Sequence, residues 1–205
     1  MAHTEEDIQL RKYLIGISAA AIVVLAAGCG GDGDGGDDHA GAGTTAADHS
    51  QRKDSGHNEQ DMSFAQAMIP HHQQAVEMAD LAATQATDAK VKDLAGRIKD
   101  AQDPEIKQLT GMLDQWGAAM DGGMDHGGSD HGGMMTDGDM QRLEKATGAA
   151  FDRMWIQMMI KHHQGAIDMA GTELESGDNA DAKKLAQQIM DAQQDEITEM
   201  QGMLS

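Results

Sequence analysis

The chain has 205 residues and a formal charge of −20, and its aromatic residues amount to only 2%. So acidic a surface excludes binding of nucleic acid phosphates or anionic headgroups by the folded part, because both require clustered basic groups. The apolar residues are chiefly Ala, Met, Leu and Ile, a palette of packed helices rather than sheets, so one all-α core is expected.

In chain order, residues 1–28 read as a signal peptide. Arg11 and Lys12 precede the apolar run YLIGISAAAIVVLAAG, which ends at Cys29, the only cysteine. A basic start, an apolar stretch and small residues before a cut are the layout of an export signal. LAAGC resembles a bacterial lipobox, in which Cys29 is lipidated and becomes the first mature residue. The run is short against the ~20 apolar residues that span a bilayer. An exported protein held by its lipid to the outer face of the cytoplasmic membrane is therefore expected, without an internal disulfide. Residues 29–60 are rich in Gly, Asp and Ser, have little to bury, and read as a disordered tether.

The folded domain is expected at 61–205. Residues 61–113 align without a gap with 152–204 at a constant offset of 91, which pairs Met68 with Met159, His71-His72 with His162-His163, Gln102 with Gln193 and Glu105 with Glu196. Each repeat divides into two helical stretches around a polar turn, ATQATDA or ESGDNA. Phe64, Met68, His72, Ala75, Ala79 and Ala82 share one face of the first helix, while Glu77 and Asp80 point away. Val91, Leu94, Ile98, Ala101, Glu105, Leu109 and Met112 share a face of the second, which Trp116 extends. One hairpin cannot bury both stripes. Two hairpins related by a pseudo-twofold close a four-helix bundle. Pro70 and Pro104, opposite Lys161 and Asp195, predict bends or restarts confined to the first repeat.

Between the repeats, 114–140 is a Gly-rich loop interleaved with Met and His. Its candidate ligands are Met120, Met124, His126, His131, Met134 and Met135. Within the repeats the candidates are the two His pairs. Adjacent helical residues lie 100° apart, so His72 falls on the centre of the apolar face and His71 on its flank. Met68 lies one turn before them and Met78 two turns beyond His71. Glu105 and Glu196 stand in the middle of apolar stripes, where an unpaired charge is costly, so each is expected to face the histidines.

An isolated core histidine is usually structural, and a methionine stripe is usually packing. The coincidence of paired His, flanking Met, inward Glu and a separate Met/His loop favours a metal ion instead. Thioethers suit Cu(I), so copper ranks first; zinc, which imidazole and carboxylate alone can hold, ranks second. A di-iron oxidase or storage bundle is the alternative, with Glu105 and Glu196 as its first carboxylate pair. It would also need Glu-x-x-His motifs, which the histidine helices lack, since Glu77 and Asp168 follow the histidines and face outward. A structural or interaction bundle without metal is the third reading. No paired nucleophile and base, phosphate loop or nucleotide fingerprint is present, so an enzyme is not expected.

FAQAMIPHHQQAVEMA and MWIQMMIKHHQGAIDMA, each followed by an AQxxEI segment, resemble the duplicated signature of the ferritin-like family of unknown function that includes the CopM copper-binding proteins. The resemblance implies a four-helix bundle, an extracytoplasmic location and, for some members, copper binding and resistance through Met and His. By position it points to Met68, His71, His72 and Met78, and to Met159, His162, His163 and Met169. Lys161 stands where the motif carries proline. The function expected is metal sequestration, resistance or transfer, with a copper-handling protein as the receiving partner.

Overall fold

Five helices follow one another in the computed structural model, which describes residues 56–118 and 132–205. They are α1 (Glu59–Gln85), α2 (Ala89–Trp116), α3 (Asp137–Lys145), α4 (Gly148–Ser176) and α5 (Ala180–Leu204). Their starts are set by short polar side chains that satisfy the first free N–H groups. Asn58 and Asp61 form a reciprocal capping box at α1, Asp88 accepts from Lys90 N at α2, and Asn179 accepts from Asp181 N and Ala182 N at α5.

The helices form two hairpins, α1 with α2 and α4 with α5, joined mainly where α1 packs on α4; α2 and α5 touch only briefly. The result is an all-α four-helix bundle built from the two repeats, with α3 lying against α4. Helix α3 was not expected, and it begins inside the segment read as an irregular loop. Its Thr136 and Asp139 form a capping box, a T-x-x-D signal present in the sequence, and Met140 and Leu143 bury its inner side. Likewise α1 begins at Glu59, inside the stretch read as tether, because Asn58 supplies the cap.

The prolines do not restart the helices. Pro70 lies inside α1 and Pro104 inside α2, and both helices run through them. Pro70 and Pro104 take exposed positions, and the packed turns on either side outweigh the one backbone bond each removes. The inner stripe of α2 also differs at one place from expectation: Ala101 is exposed, and its neighbour Gln102 is the buried residue.

Two apolar clusters make the core, and each mixes halves of both repeats. One joins Phe64, Met68, Ile69, Leu109 and Leu113 to Ala166, Ala170, Leu185 and Ile189. The other joins Ala75, Met78, Ala79, Leu94 and Ile98 to Phe151, Trp155, Met159 and Met200. Trp155 is fully buried and donates its indole N–H to the Met78 carbonyl at 2.8 Å. The four histidines come between these clusters along α1 and α4, at mid-bundle.

Two carboxylates lock the repeats together. Asp152, on α4, accepts from Thr87 N at 2.9 Å, Asp88 N at 3.0 Å and Thr87 Oγ1 at 2.5 Å in the first hairpin's turn. Asp61, its equivalent on α1, accepts from Asn179 N at 2.9 Å and Asp178 N at 3.2 Å in the second turn. The same crossing contact thus occurs at both ends. Asp152→Ala is expected to destabilise the protein by about 2–4 kcal/mol, since it strands buried donors that were bonded to a charged acceptor. A urea-unfolding midpoint unchanged by this substitution would show that the crossing contact does not hold the repeats.

No described helix is long and apolar enough to cross a membrane. The signal segment, Cys29, most of the tether and the loop candidates Met120, Met124, His126 and His131 lie outside the described residues.

Candidate metal centre

The 100° turn between neighbouring helical residues gives the two histidines of each pair different tasks. His72 reaches across its hairpin, with Nε2 2.8 Å from Glu105 Oε2, and His163 does the same to Glu196 at 2.7 Å. His71 and His162 instead turn toward the α1–α4 seam and meet ring to ring, with centroids 3.7 Å apart. His71 to His72 is 6.5 Å and His162 to His163 is 6.4 Å. Four imidazoles, none more than 1% exposed, therefore form one continuous array across the bundle. The glutamates reach it from the rim, with side chains 19% and 15% exposed.

Hydrogen bonding sorts the ring nitrogens. Nε2–H of His72 and of His163 donates to a carboxylate, and Nε2–H of His71 donates to the Gly132 carbonyl at 2.9 Å. In the neutral ring the lone pair then belongs to Nδ1. Nδ1 is buried without a hydrogen-bond partner in all four histidines, and Nε2 of His162 is as well. A ring held by a carboxylate at one nitrogen and open at the other is the arrangement that outer-shell groups give to metal-binding histidines. Burial above all, and then the charge of His72, push His71 down to about 3, against the opposing bond to Gly132. Burial and then His71 hold His162 well below the usual imidazole range, with the His71 backbone acting weakly in the other direction. Both rings are neutral at physiological pH, the form that binds a metal.

Gln102 and Gln193 were missed as site residues. They occupy equivalent positions one turn before Glu105 and Glu196, are 2% and 3% exposed, and neither amide has a partner at its nitrogen or its oxygen. Leaving such groups unpaired costs about 1–3 kcal/mol each, so the two matched amides are buried at a cost the protein alone does not offset. Their identity across the repeats, together with their spacing from the glutamates, was the available signal.

The methionines lie in the apolar clusters and at the loop end. Met68 is fully buried in one apolar cluster, and Met78 and Met159 in the other. Met169 is half-buried near the end of the inter-repeat loop, its sulfur 3.7 Å from where a Cβ on Gly132 would stand. Met134 is half-buried and Met135 is 6% exposed. Among the described residues no three of His, Cys, Asp and Glu are placed to hold one ion together. An ion among these imidazoles would draw on a thioether, an amide oxygen or the loop as well.

The loop end contacts the array directly. Gln74 grips Met135 through both backbone groups, Nε2 to Met135 O at 2.9 Å and Met135 N to Oε1 at 2.7 Å. Gly165, the counterpart of Gln74 in the second repeat, makes the opposite contribution: a Cβ there would lie 1.7 Å from Gly132 O. Gly133, at φ +81°, passes so close that its own Cβ would stand 2.6 Å from Lys161 O. One repeat holds the strap 132–135 and the other leaves room for it, so the two halves cannot be identical here.

Away from the histidines, Glu173 is fully buried with neither carboxylate oxygen bonded to a donor. Burial first, and then the adjacent Asp61, raise it to about 8.

Fold and site together define a duplicated helical-hairpin protein with a buried imidazole array at its centre. The chain belongs to the family described as Domain of unknown function (DUF305), whose sequence profile matches residues 61–204. Its structure is similar to a DUF305 protein from Streptomyces coelicolor, at 33% identity and a TM-score of 0.63 over 69% of this chain and 88% of that one. A DUF305 fragment from Deinococcus radiodurans matches at 28% identity and a TM-score of 0.66, over 72% and 96%. CopM in its Cu(II)-bound form matches at 34% identity and a TM-score of 0.60, over 69% and 93%, and CopM is also known in Cu(I)-bound and Ag-bound forms. No curated protein is significantly similar in sequence.

Proposed function

We propose that this protein binds copper at the His71/His72/His162/His163 array and sequesters it or passes it on, acting as a binding protein rather than an enzyme. The observation that carries the reading is the set of buried imidazoles whose lone-pair nitrogens have no partner in the protein. CopM, similar over most of its length, has been captured with Cu(I), Cu(II) and Ag, which supports copper over zinc or iron. The donor set fits this ion: imidazole nitrogens suit copper, and burial keeps the His71 and His162 rings neutral. Histidines held in the interior by glutamate also limit exchange of the ion with water, as a storage or carrier role requires. The charge of −20 favours capture of cations from solution.

The same reading places the chain outside the cytoplasm, anchored through lipid on Cys29. Labelling with palmitate that persists in Cys29→Ser would refute the anchor.

Anaerobic titration of the protein with Cu(I) against a competing chelator, repeated with Zn(II) and Fe(II), tests the copper site. Replacing all four histidines by Ala is expected to weaken copper binding at least a hundredfold, with H71A/H72A and H162A/H163A as milder variants that each keep one repeat intact. Unchanged affinity and stoichiometry in folded variants would make the histidines structural.

A further inference from the structure

We propose that a pocket of about 320 Å3 between the loop end, α3 and α4 is a second, outer copper site, in which the thioethers of Met135, Met154 and Met158 bind Cu(I). It rests on the copper reading above and assigns to that function a second site of different chemistry. Met154 and Met158 are one helical turn apart on α4, so they present their sulfurs on one face. Met135 lines the same pocket and is fixed there because Gln74 holds both its backbone N–H and its carbonyl.

Two observations separate this cluster from ordinary packing. The first repeat has Ser63 and Ala67 where the second has Met154 and Met158, so the methionines are not a core feature copied by duplication. They also remain half-buried and line the cavity while packing against the apolar cluster that holds Met135, whereas Met68, Met78 and Met159 are sealed inside the clusters.

Ligand softness selects the guest, against an unfavourable charge. Asp139 bonds both Thr136 and Arg142, and those hydrogen bonds hold its carboxyl below the usual range. Its charge offsets that of Arg142, and Lys161 leaves one positive group at the rim. A surplus positive charge repels a divalent ion about twice as strongly as a monovalent one, and three neutral thioethers offer nothing to a hard cation. The softness of the thioethers, not the charge, favours Cu(I) over Zn(II), and the surplus positive group at the rim opposes either cation, the divalent one more strongly.

Its position gives it a role. Gly132 bonds the His71 ring, and Met135, three residues on, lines the pocket. One short strap touches both sites, so the outer thioethers form a way-station for copper entering or leaving the imidazole array.

The test loads the full-length protein anaerobically with Cu(I), counts tightly held equivalents against a chelator, and reads the ligands by X-ray absorption at the copper edge. M154L/M158L, a nearly volume-conserving change at half-buried positions, is expected to lose one equivalent of Cu(I) and its sulfur neighbours while Zn(II) binding is unchanged. M135L is expected to do the same, and M120L/M124L in the loop is expected to retain that equivalent. Unaltered copper stoichiometry and sulfur ligation in M154L/M158L, or a loss seen only in M120L/M124L, overturns the proposal. In that case copper lost by the four-histidine variant would still support the inner site. A wild-type protein that holds no Cu(I) overturns both.

Discussion

The stability of the metal-free protein is expected to pass through a maximum near pH 6.5 and to fall by about 1 kcal/mol on either side within about 1.5 pH units. The acid limb comes from His71, lowered to about 3, and from His162, also lowered. Their stabilising contribution is complete above the unfolded imidazole value and is lost as pH falls, because the unfolded chain takes up protons that the folded chain refuses. The alkaline limb comes from Glu173, raised to about 8. Its contribution is present below the unfolded carboxyl value and disappears as pH rises through about 8, because the folded chain keeps a proton that the unfolded chain releases. Between about pH 4.5 and 6.5 the two histidines outweigh the one glutamate, which gives a net slope of at most about 1.4 kcal/mol per pH unit. Between 6.5 and 8 only the glutamate acts, and the sign reverses. Urea midpoints at pH 5, 6.5 and 8 measure both limbs. Glu173→Gln should flatten the alkaline limb and steepen the acid one, because the glutamate no longer opposes the histidines there; a flat profile in the wild-type protein would contradict the burial of these groups.

Gly165→Ala is expected to lower stability by about 1–3 kcal/mol, a Tm decrease of several degrees, through one added methyl group. A helical glycine in solvent behaves oppositely, gaining stability of about 0.4–1 kcal/mol when it becomes alanine. Here the new Cβ would meet the Gly132 carbonyl at 1.7 Å, so the strap must leave α4. Its departure breaks the bond from His71 Nε2 and loosens the hold of Gln74 on Met135. Gly171 and Gly202, which face open space, provide the control: alanine at either should be neutral or stabilising. Equal behaviour at all three positions would mean that the strap is not seated on α4. The same variant tests the coupling of the two copper sites, since it separates Met135 from the His71 ring without changing any ligand.

Much of this was legible in the sequence, for identifiable reasons. The 91-residue offset, the apolar spacing in each stretch and the polar turns specified two matching hairpins, because a single hairpin has no way to bury both its stripes. The His72–Glu105 and His163–Glu196 contacts were legible from an inward carboxylate opposite an inward imidazole. The shift from Ala101 to Gln102 was not, since an alanine and a glutamine next to each other compete for the same narrow stripe and helical spacing does not separate them. Helix α3 was hidden by composition: glycine and aspartate suggested a loop, although the Thr136 capping box marked a start.

The sequence by itself determined that the chain is helical, that it is two copies of one hairpin, and, apart from Ala101 and Gln102, the main inward stripe of each helix, because helical periodicity and internal duplication are local or linear properties. Only the tertiary structure decided that the His71 and His162 rings meet at a tilt across the seam, that Asp61 and Asp152 each clamp the other repeat's turn, and that the loop end rests on the array. The contacts between one repeat and the other join positions far apart in the chain, and no spacing rule encodes them. The asymmetry between Gln74 and Gly165 is visible in the sequence as a mere mismatch; it acquires meaning only when one strap has to fit where two related helices meet.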